Sequence, residues 1–543
     1  MRSHSIRDDR CRWCSVERIH PIITDKATCR VRFRATSPCV TPTASLPCVT
    51  PPASYPLRPP HPAAIVELCF RGRVTTTHLG QIFHVAGRPD VAEASEALSW
   101  FPDGALVYDT TGRIVYCGHR DGRPAPTTPE TVHDHGDAFL IPGFVDTHIH
   151  FPQTYSVDAY GGGQLLEWLE SCIFPAEARL ADPDFARQIA RDFVARRIAV
   201  GTTAAMVFGS AFPPAQDALF DETRRAGLRL VSGRGIQTVG GPSAGPLLTS
   251  ERQAIELTAD EIDRWHAADS GDVGSALLHV AIVPRFSLSV TTETLAGLGE
   301  LYDDVRARGV YVHTHLNEDN SPDNGEIDQV KRSYRVDAYL DTYDGRFLPG
   351  SRVGGAGLLG RRTVMAHAVH CTDRELARMA ETGTSIAHCP VSQLFLGSGT
   401  MPWRRTVAAG LTVAAGTDVG AGDEWLISRV LSDAFKVHLS EPGDASAVMH
   451  PAEMLFTGTL AGARALDMED RFGNFDVGKE ADFLVIDPHA WPPLEMILRQ
   501  GIRADDDETA RDQTLFALLM GLREPAITEV HVRGRRVTSA DSN

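Results

Sequence analysis

The chain has no run of eighteen or more apolar residues, and its N-terminus carries no short apolar core of the kind a secretory signal needs. Neither a helical membrane span nor export is therefore expected. A surplus of basic charge is also missing: 53 Lys and Arg stand against 70 Asp and Glu, a formal net charge of −17. That balance repels nucleic acid and anionic membrane at long range, while leaving small neutral substrates unaffected. Disulfide-framework spacing is absent too. Five of the ten cysteines (Cys11, Cys14, Cys29, Cys39, Cys48) crowd the first fifty residues, and the others are scattered as reduced thiols are. Cys11-x-x-Cys14 has no second Cys or His pair at zinc-knuckle spacing, so no metal is expected there. These absences leave a soluble cytoplasmic protein.

What is present is enough apolar sequence, 43% against 23% charged, to bury one large body. Residues 1–62 are rich in Arg and Pro and read as a disordered tail. Residues 63–142 hold short β-rich runs between Gly and Asp turns, and comparable runs return at 481–487 and 528–534. The two ends, 63–142 and 466–543, are expected to pair into one small β-sandwich. Between them, from 143 to 465, buried apolar runs alternate with amphipathic helices such as 183–200. Eight strands are expected, at 143–149, 203–207, 228–235, 277–284, 309–314, 363–366, 384–387 and 411–416. Eight parallel strands alternating with helices predict an α/β fold, a closed (β/α)8 TIM barrel.

Histidine pairs mark the candidate site only when their context is read with them. With 21 histidines in 543 residues, about 0.8 His-x-His pairs arise by chance, and the chain has three. His133/His135 sits in Val132-His-Asp-His-Gly-Asp137, without an apolar run leading into it, and reads as a solvated loop. His148 and His150 instead close the buried run Phe139-Leu-Ile-Pro-Gly-Phe-Val-Asp-Thr-His-Ile-His150. A strand there carries both imidazoles out of its C-terminal end on one face, where they can chelate one ion. His315, in His313-Thr-His-Leu-Asn-Glu318, ends strand five, and Asp418, in Gly416-Thr-Asp418, ends strand eight. The active site of a (β/α)8 barrel lies at those strand ends.

Pro142-Gly-Phe-Val-Asp-Thr-His-Ile-His150, His313-Thr-His-Leu-Asn-Glu318, Met365-Ala-His-Ala-Val-His370 and Gly416-Thr-Asp-Val-Gly420 together resemble the metal-dependent amidohydrolase superfamily. Gln153, Leu165-Leu-Glu-Trp-Leu169, Phe174-Pro-Ala-Glu177, Pro284-Arg-Phe-Ser-Leu-Ser289 and Ser385-Ile-Ala-His-Cys-Pro390 are similar, more narrowly, to the guanine deaminase branch. The resemblance runs from about residue 142 to 487 and leaves the first sixty residues outside it.

The resemblance implies one Zn2+ per subunit, held by His148, His150, His315 and Asp418, with water in the remaining position. It implies Glu318 as the proton shuttle and His367 as the group that polarises the attacking water, with Asp418 as a further proton acceptor. Substrate contacts fall to Gln153, Arg285 and Phe286, and a cationic donor at Arg285 favours a ring carbonyl over a ring amino group. The implied reaction is hydrolytic deamination of guanine to xanthine and ammonia, in purine catabolism, by a cytoplasmic homodimer. Another aminated ring (8-oxoguanine, a pterin or a triazine) is the alternative substrate, and an inactive scaffold is the alternative class. The small zinc deaminases with Pro-Cys-x-x-Cys are excluded because that motif is absent. His313, His370 and His388 are expected to be structural or supporting. Two stretches depart from the pattern: a long loop from Glu318 to Glu326, and Gly420-Ala-Gly-Asp-Glu-Trp425, which is expected to bring two acids and a tryptophan to the substrate mouth.

Overall fold

The computed structural model describes residues 74–538 apart from 90–92, 127, 157–163, 323–324, 346–356, 442–446, 503 and 505. The tail 1–62 and the apolar run at 63–70 lie outside the described residues. The strands in chain order are β1 (Thr75–Val85), β2 (Leu98–Asp109), β3 (Ile114–His119), β4 (Glu130–Pro142), β5 (Phe144–His150), β6 (Thr202–Phe208), β7 (Arg229–Gly233), β8 (Gly235–Ile236), β9 (Leu278–Pro284), β10 (Tyr311–Leu316), β11 (Thr363–His367), β12 (Ser385–His388), β13 (Val413–Ala415), β14 (Phe483–Ile486), β15 (Ile527–Val532) and β16 (Arg535–Arg536).

Strands β5, β6, β7, β9, β10, β11, β12 and β13 form a parallel barrel in that order, with β8 a short extension beside β9. Near-continuous apolar runs such as Leu278-His-Val-Ala-Ile-Val-Pro284 suit strands covered on both faces, and every residue of β5, β6 and β9 is buried. The barrel closes between β13 and β5 through one side-chain and one backbone hydrogen bond: Thr147 Oγ1 donates to Ala415 O at 2.8 Å and Asp418 N to His148 O at 2.8 Å. Asp146 accepts from Thr417 N (3.1 Å) and Thr417 Oγ1 (2.6 Å) across the same seam. The outer helices start where local chemistry satisfies their first N–H groups. Asp182 caps Pro183–Ala199, and Ser250 with Gln253 forms a capping box on Glu251–Trp265.

The two chain ends share one sheet, ordered β16-β15-β14-β4-β1-β2-β3. In a flat sheet β2 and β15 would stand about 19 Å apart, four steps of about 4.8 Å. Yet Tyr108 Oη of β2 donates to the carbonyl of Gly534, just past β15, at 2.8 Å. The sheet therefore curls into a sandwich around Ile82, Leu106, Leu140, Phe483 and Val485. The link from sandwich to barrel is one residue, Gly143, where a Cβ would meet Thr203 at 2.3 Å.

The expected loop at His133/His135 is a strand: both lie in β4, which pairs with β14 on one side and with β1 on the other, His78 opposite His133. The outer end of β4 is exposed, so it carries polar residues and no apolar alternation to betray it. Strand β1 escaped sequence reading for a different reason: it is buried along most of its length, yet it starts with three threonines and a histidine in place of an apolar run.

Candidate functional site

The barrel strands leave their sheet through unusual backbone. Asn317 (φ 50°), His367 (φ 71°), Ala368 (φ 52°) and Asp418 (φ 52°) are non-glycine residues in the left-handed region, at the exits of β10, β11 and β13. That conformation costs energy and clusters at functional sites, where it aims a side chain that a regular strand would not. Here it accompanies the convergence of six groups on one point.

His148 Nε2 and His150 Nε2 each lie 3.1 Å from Asp418 Oδ1. His315 Nε2 is 3.3 Å from His150 Nε2. His367 Nε2 is 3.8 Å from Asp418 Oδ2 and 3.3 Å from Glu318 Oε2. One donor atom each of His148, His315, His367 and Asp418 lies within 4.8 Å of the others. All six residues are buried or nearly so, and His148 Nε2, His367 Nε2 and Glu318 Oε1 have no hydrogen-bond partner among the described residues. Buried polar atoms left without protein partners fit a cation and a polar ligand. The donor set of imidazoles and one carboxylate fits a divalent metal.

Ring tautomers follow from a relay across three strands. His313 Nδ1 lies 2.9 Å from Val364 O, which only accepts, so Nδ1 carries the proton and Nε2 the lone pair. His148 Nδ1, 2.8 Å from that Nε2, therefore donates, leaving His148 Nε2 free to ligate. His315 Nδ1 donates in the same way to Arg285 O at 2.6 Å. His313 thus has a supporting part, as an outer partner that orients a ligand.

Electrostatics separate the groups by role. Burial holds His148 and His367 down at about 3 and His315 well below its ordinary value, so the rings are neutral at pH 7 and able to ligate. Burial opposes charge on Asp418 as well, yet His148, His150 and His367 hold its carboxyl well below the usual range. Burial and the nearby carboxylates of Asp418, Glu326 and Asp319 push Glu318 well above it. A carboxyl raised in this way can take up and give back a proton near neutral pH.

A cavity of about 380 Å3 opens onto these groups, lined also by Gln153, Arg285, Phe286, Leu165, Trp168 and Leu169. Glu177 organises its polar wall: Oε2 accepts from Arg285 Nη1 at 2.6 Å and Oε1 from Gln153 Nε2 at 2.8 Å. Sequence reading noted Phe174-Pro-Ala-Glu177 as a motif but assigned Glu177 no part, because nothing local places it beside residues 24 and 108 positions away. Glu326 was missed likewise; its Oε2 accepts from Glu318 N at 3.2 Å and anchors the start of the long loop. The Gly420 stretch differs from expectation. Only Ala421 of it lines the cavity, while Trp425 turns into the core against Phe193 (5.7 Å between rings) and Glu424 caps Leu426 N at 2.8 Å. His370 and His388 stand outside the cluster, bonded to Ser398 O (2.7 Å) and His438 (3.0 Å).

Residues 139–535 match the model of the amidohydrolase family. The guanine deaminase of Escherichia coli is 34% identical over 450 residues, 82% of this chain and 93% of that protein. A probable guanine deaminase of Deinococcus radiodurans is 39% identical over 438 residues, 78% of this chain and 91% of that protein. The solved guanine deaminase of Bradyrhizobium japonicum superposes with a TM-score of 0.75 at 28% identity, covering 86% of this chain and 99% of that one. With the converging strand-end residues, the barrel and a family match over most of its length, the chain belongs to the amidohydrolase family.

Proposed function

We propose that the chain is a zinc-dependent guanine deaminase, hydrolysing guanine to xanthine and ammonia. The observation that carries this reading is the Glu177 clamp. A carboxylate only accepts, so Gln153 turns Nε2 toward it and keeps Oε1, buried and without a partner among the described residues, as a free acceptor beside the Arg285 donors. A donor next to an acceptor complements the carbonyl and adjoining ring N–H of guanine. Adenine presents the reverse order, and such a mismatch leaves buried polar groups unpaired. The similarity to guanine deaminases supports the same substrate.

When held by His148, His150, His315 and Asp418, a divalent cation such as Zn2+ supplies Lewis acidity that lets water lose a proton near pH 7. Glu318 takes that proton and delivers it to the ring nitrogen beside the amino-bearing carbon. Water's oxygen bonds to this carbon, its second proton passes by way of Asp418 and Glu318 to the amino group, the C–N bond breaks, and that group leaves as ammonia. His367, beside Glu318, steadies the incoming oxygen, and Asp418 accepts the second proton of water. Phe286, Leu165, Trp168 and Leu169 pack the purine face and exclude bulk water. A homodimer working in the cytoplasm completes the reading; among the described residues no helix is long and apolar enough to cross a membrane.

The test is xanthine and ammonia release from metal-loaded protein given guanine, with Glu318→Gln alongside. Wild-type turnover is expected, with kcat lowered about 10²- to 10⁴-fold in the variant. Metal-loaded wild type that leaves guanine untouched would sink the assignment and turn attention to 8-oxoguanine, pterins and triazines.

A further inference from the structure

The His-x-His pair of β4 takes no part in the barrel site, yet it belongs to a histidine cluster of its own on the sandwich. His78 on β1, His133 and His135 on β4, and Glu529 and His531 on β15 come together there. One donor atom each of His78, His135 and Glu529 lies within 4.8 Å of the others, the one such group among the described residues besides the catalytic centre.

The geometry prepares these donors. Tyr108 Oη uses its hydrogen on Gly534 O (2.8 Å), so at 3.1 Å it accepts from His78 Nε2–H. The His78 lone pair is thereby placed on Nδ1, 2.9 Å from His135 Nε2. His531 Nε2, 2.8 Å from Glu529 Oε2, donates to that carboxylate and holds it in place, while Arg536 Nη1 sits 3.0 Å from Oε1. His78 is buried, His135 and Glu529 are half-buried, and the exposed His133 stacks on His78 at 4.7 Å, so the cluster has a rigid floor and a side open to solvent.

We propose that His78, His135 and Glu529 bind one divalent transition-metal ion, Zn2+ as the first choice, apart from the catalytic centre. Nitrogen and oxygen ligands about 2.0–2.2 Å from tetrahedral zinc stand about 3.3–3.6 Å from one another, close to the 2.9 Å between the two histidine nitrogens here and inside the 4.8 Å within which all three donors lie. Two neutral imidazoles and a carboxylate offset one unit of the ion's charge, and Tyr108 and His531 are the outer partners that such ligands use for orientation. His78 and Glu529 come from opposite ends of the chain, so the ion clips the two ends together, and its binding stabilises the folded state.

The experiment titrates the purified holoenzyme with Zn2+ and measures retained zinc per chain by elemental analysis after desalting, beside His135→Ala and Glu529→Gln. Both substitutions fall at half-exposed positions outside the barrel. Wild type is expected to retain one equivalent more than either variant, and its unfolding midpoint to rise with added Zn2+ while theirs does not. No extra equivalent in wild type overturns the proposal and leaves a purely hydrogen-bonded His78–His135 pair. An extra equivalent retained equally by all three proteins also overturns it, placing the ion elsewhere, for example on Cys11 and Cys14.

Discussion

Gly420 shows how one residue shapes the cavity wall at Gln153. Its φ is +125°, and a methyl group there would stand 1.7 Å from Gln153 Oε1. Gly420→Ala is therefore expected to drive Gln153 off the cavity wall and to lower kcat/KM for guanine about tenfold or more, the loss of about one buried hydrogen bond, while metal content is unchanged. Steady-state kinetics with metal analysis on the same sample check it; unchanged kcat/KM would remove Gln153 from recognition. Gly416 is confined in the same way from the other side, since a Cβ would meet His148 at 2.9 Å.

At the scale of elements, the site is held by strand-to-strand relays. Val364 on β11 orients His313 on β10, which orients His148 on β5. His313→Leu breaks the chain in the middle and leaves His148 Nδ1–H without its acceptor. The variant is expected to hold its catalytic metal about 10- to 100-fold more weakly, as outer-partner changes do, and His313→Gln, which keeps an acceptor, to recover part of the loss. Competition with a chelator measures this; equal retention by His313→Leu and wild type would show that the relay is dispensable. The loop after β10 is anchored similarly: Glu375, in the capping box of the Asp373–Thr382 helix, also accepts from Asn317 Nδ2 at 3.0 Å, next to Glu318.

At the scale of the whole molecule, sandwich and barrel are joined by a buried ionic network. Arg229 of β7 reaches Glu480 and Asp482, and Arg533 reaches Glu480 at 3.0 Å. Burial disfavours charge on Glu480, but Arg229, Arg471 and Arg533 outweigh it and hold the carboxyl at about 2. A folded value below the unfolded one, 4.5 here, stabilises the protein above the unfolded value. That contribution, up to about 3 kcal/mol, is lost as pH falls through about 2. Denaturant midpoints measured between pH 7 and pH 3 should fall less steeply for Glu480→Gln than for wild type, and parallel profiles would contradict the argument.

The amino-acid sequence by itself determined the barrel and its ligand-bearing ends. All eight expected strands are present within two residues or so, because buried parallel strands are written as apolar runs, and the strand-end histidines, Glu318 and Asp418 stand at their exits. Which polar residues meet across the cavity was decided only by the tertiary structure. Glu177 and Glu326 look like ordinary helix-entry acids in the chain, and the His133/His135 strand looks like a loop. Their roles arise from neighbours that are distant in sequence, and local periodicity records which face is buried, not which side chain lies opposite. The tertiary structure likewise turned Trp425 inward, where packing against Phe193 outweighed its place beside the Gly-rich turn.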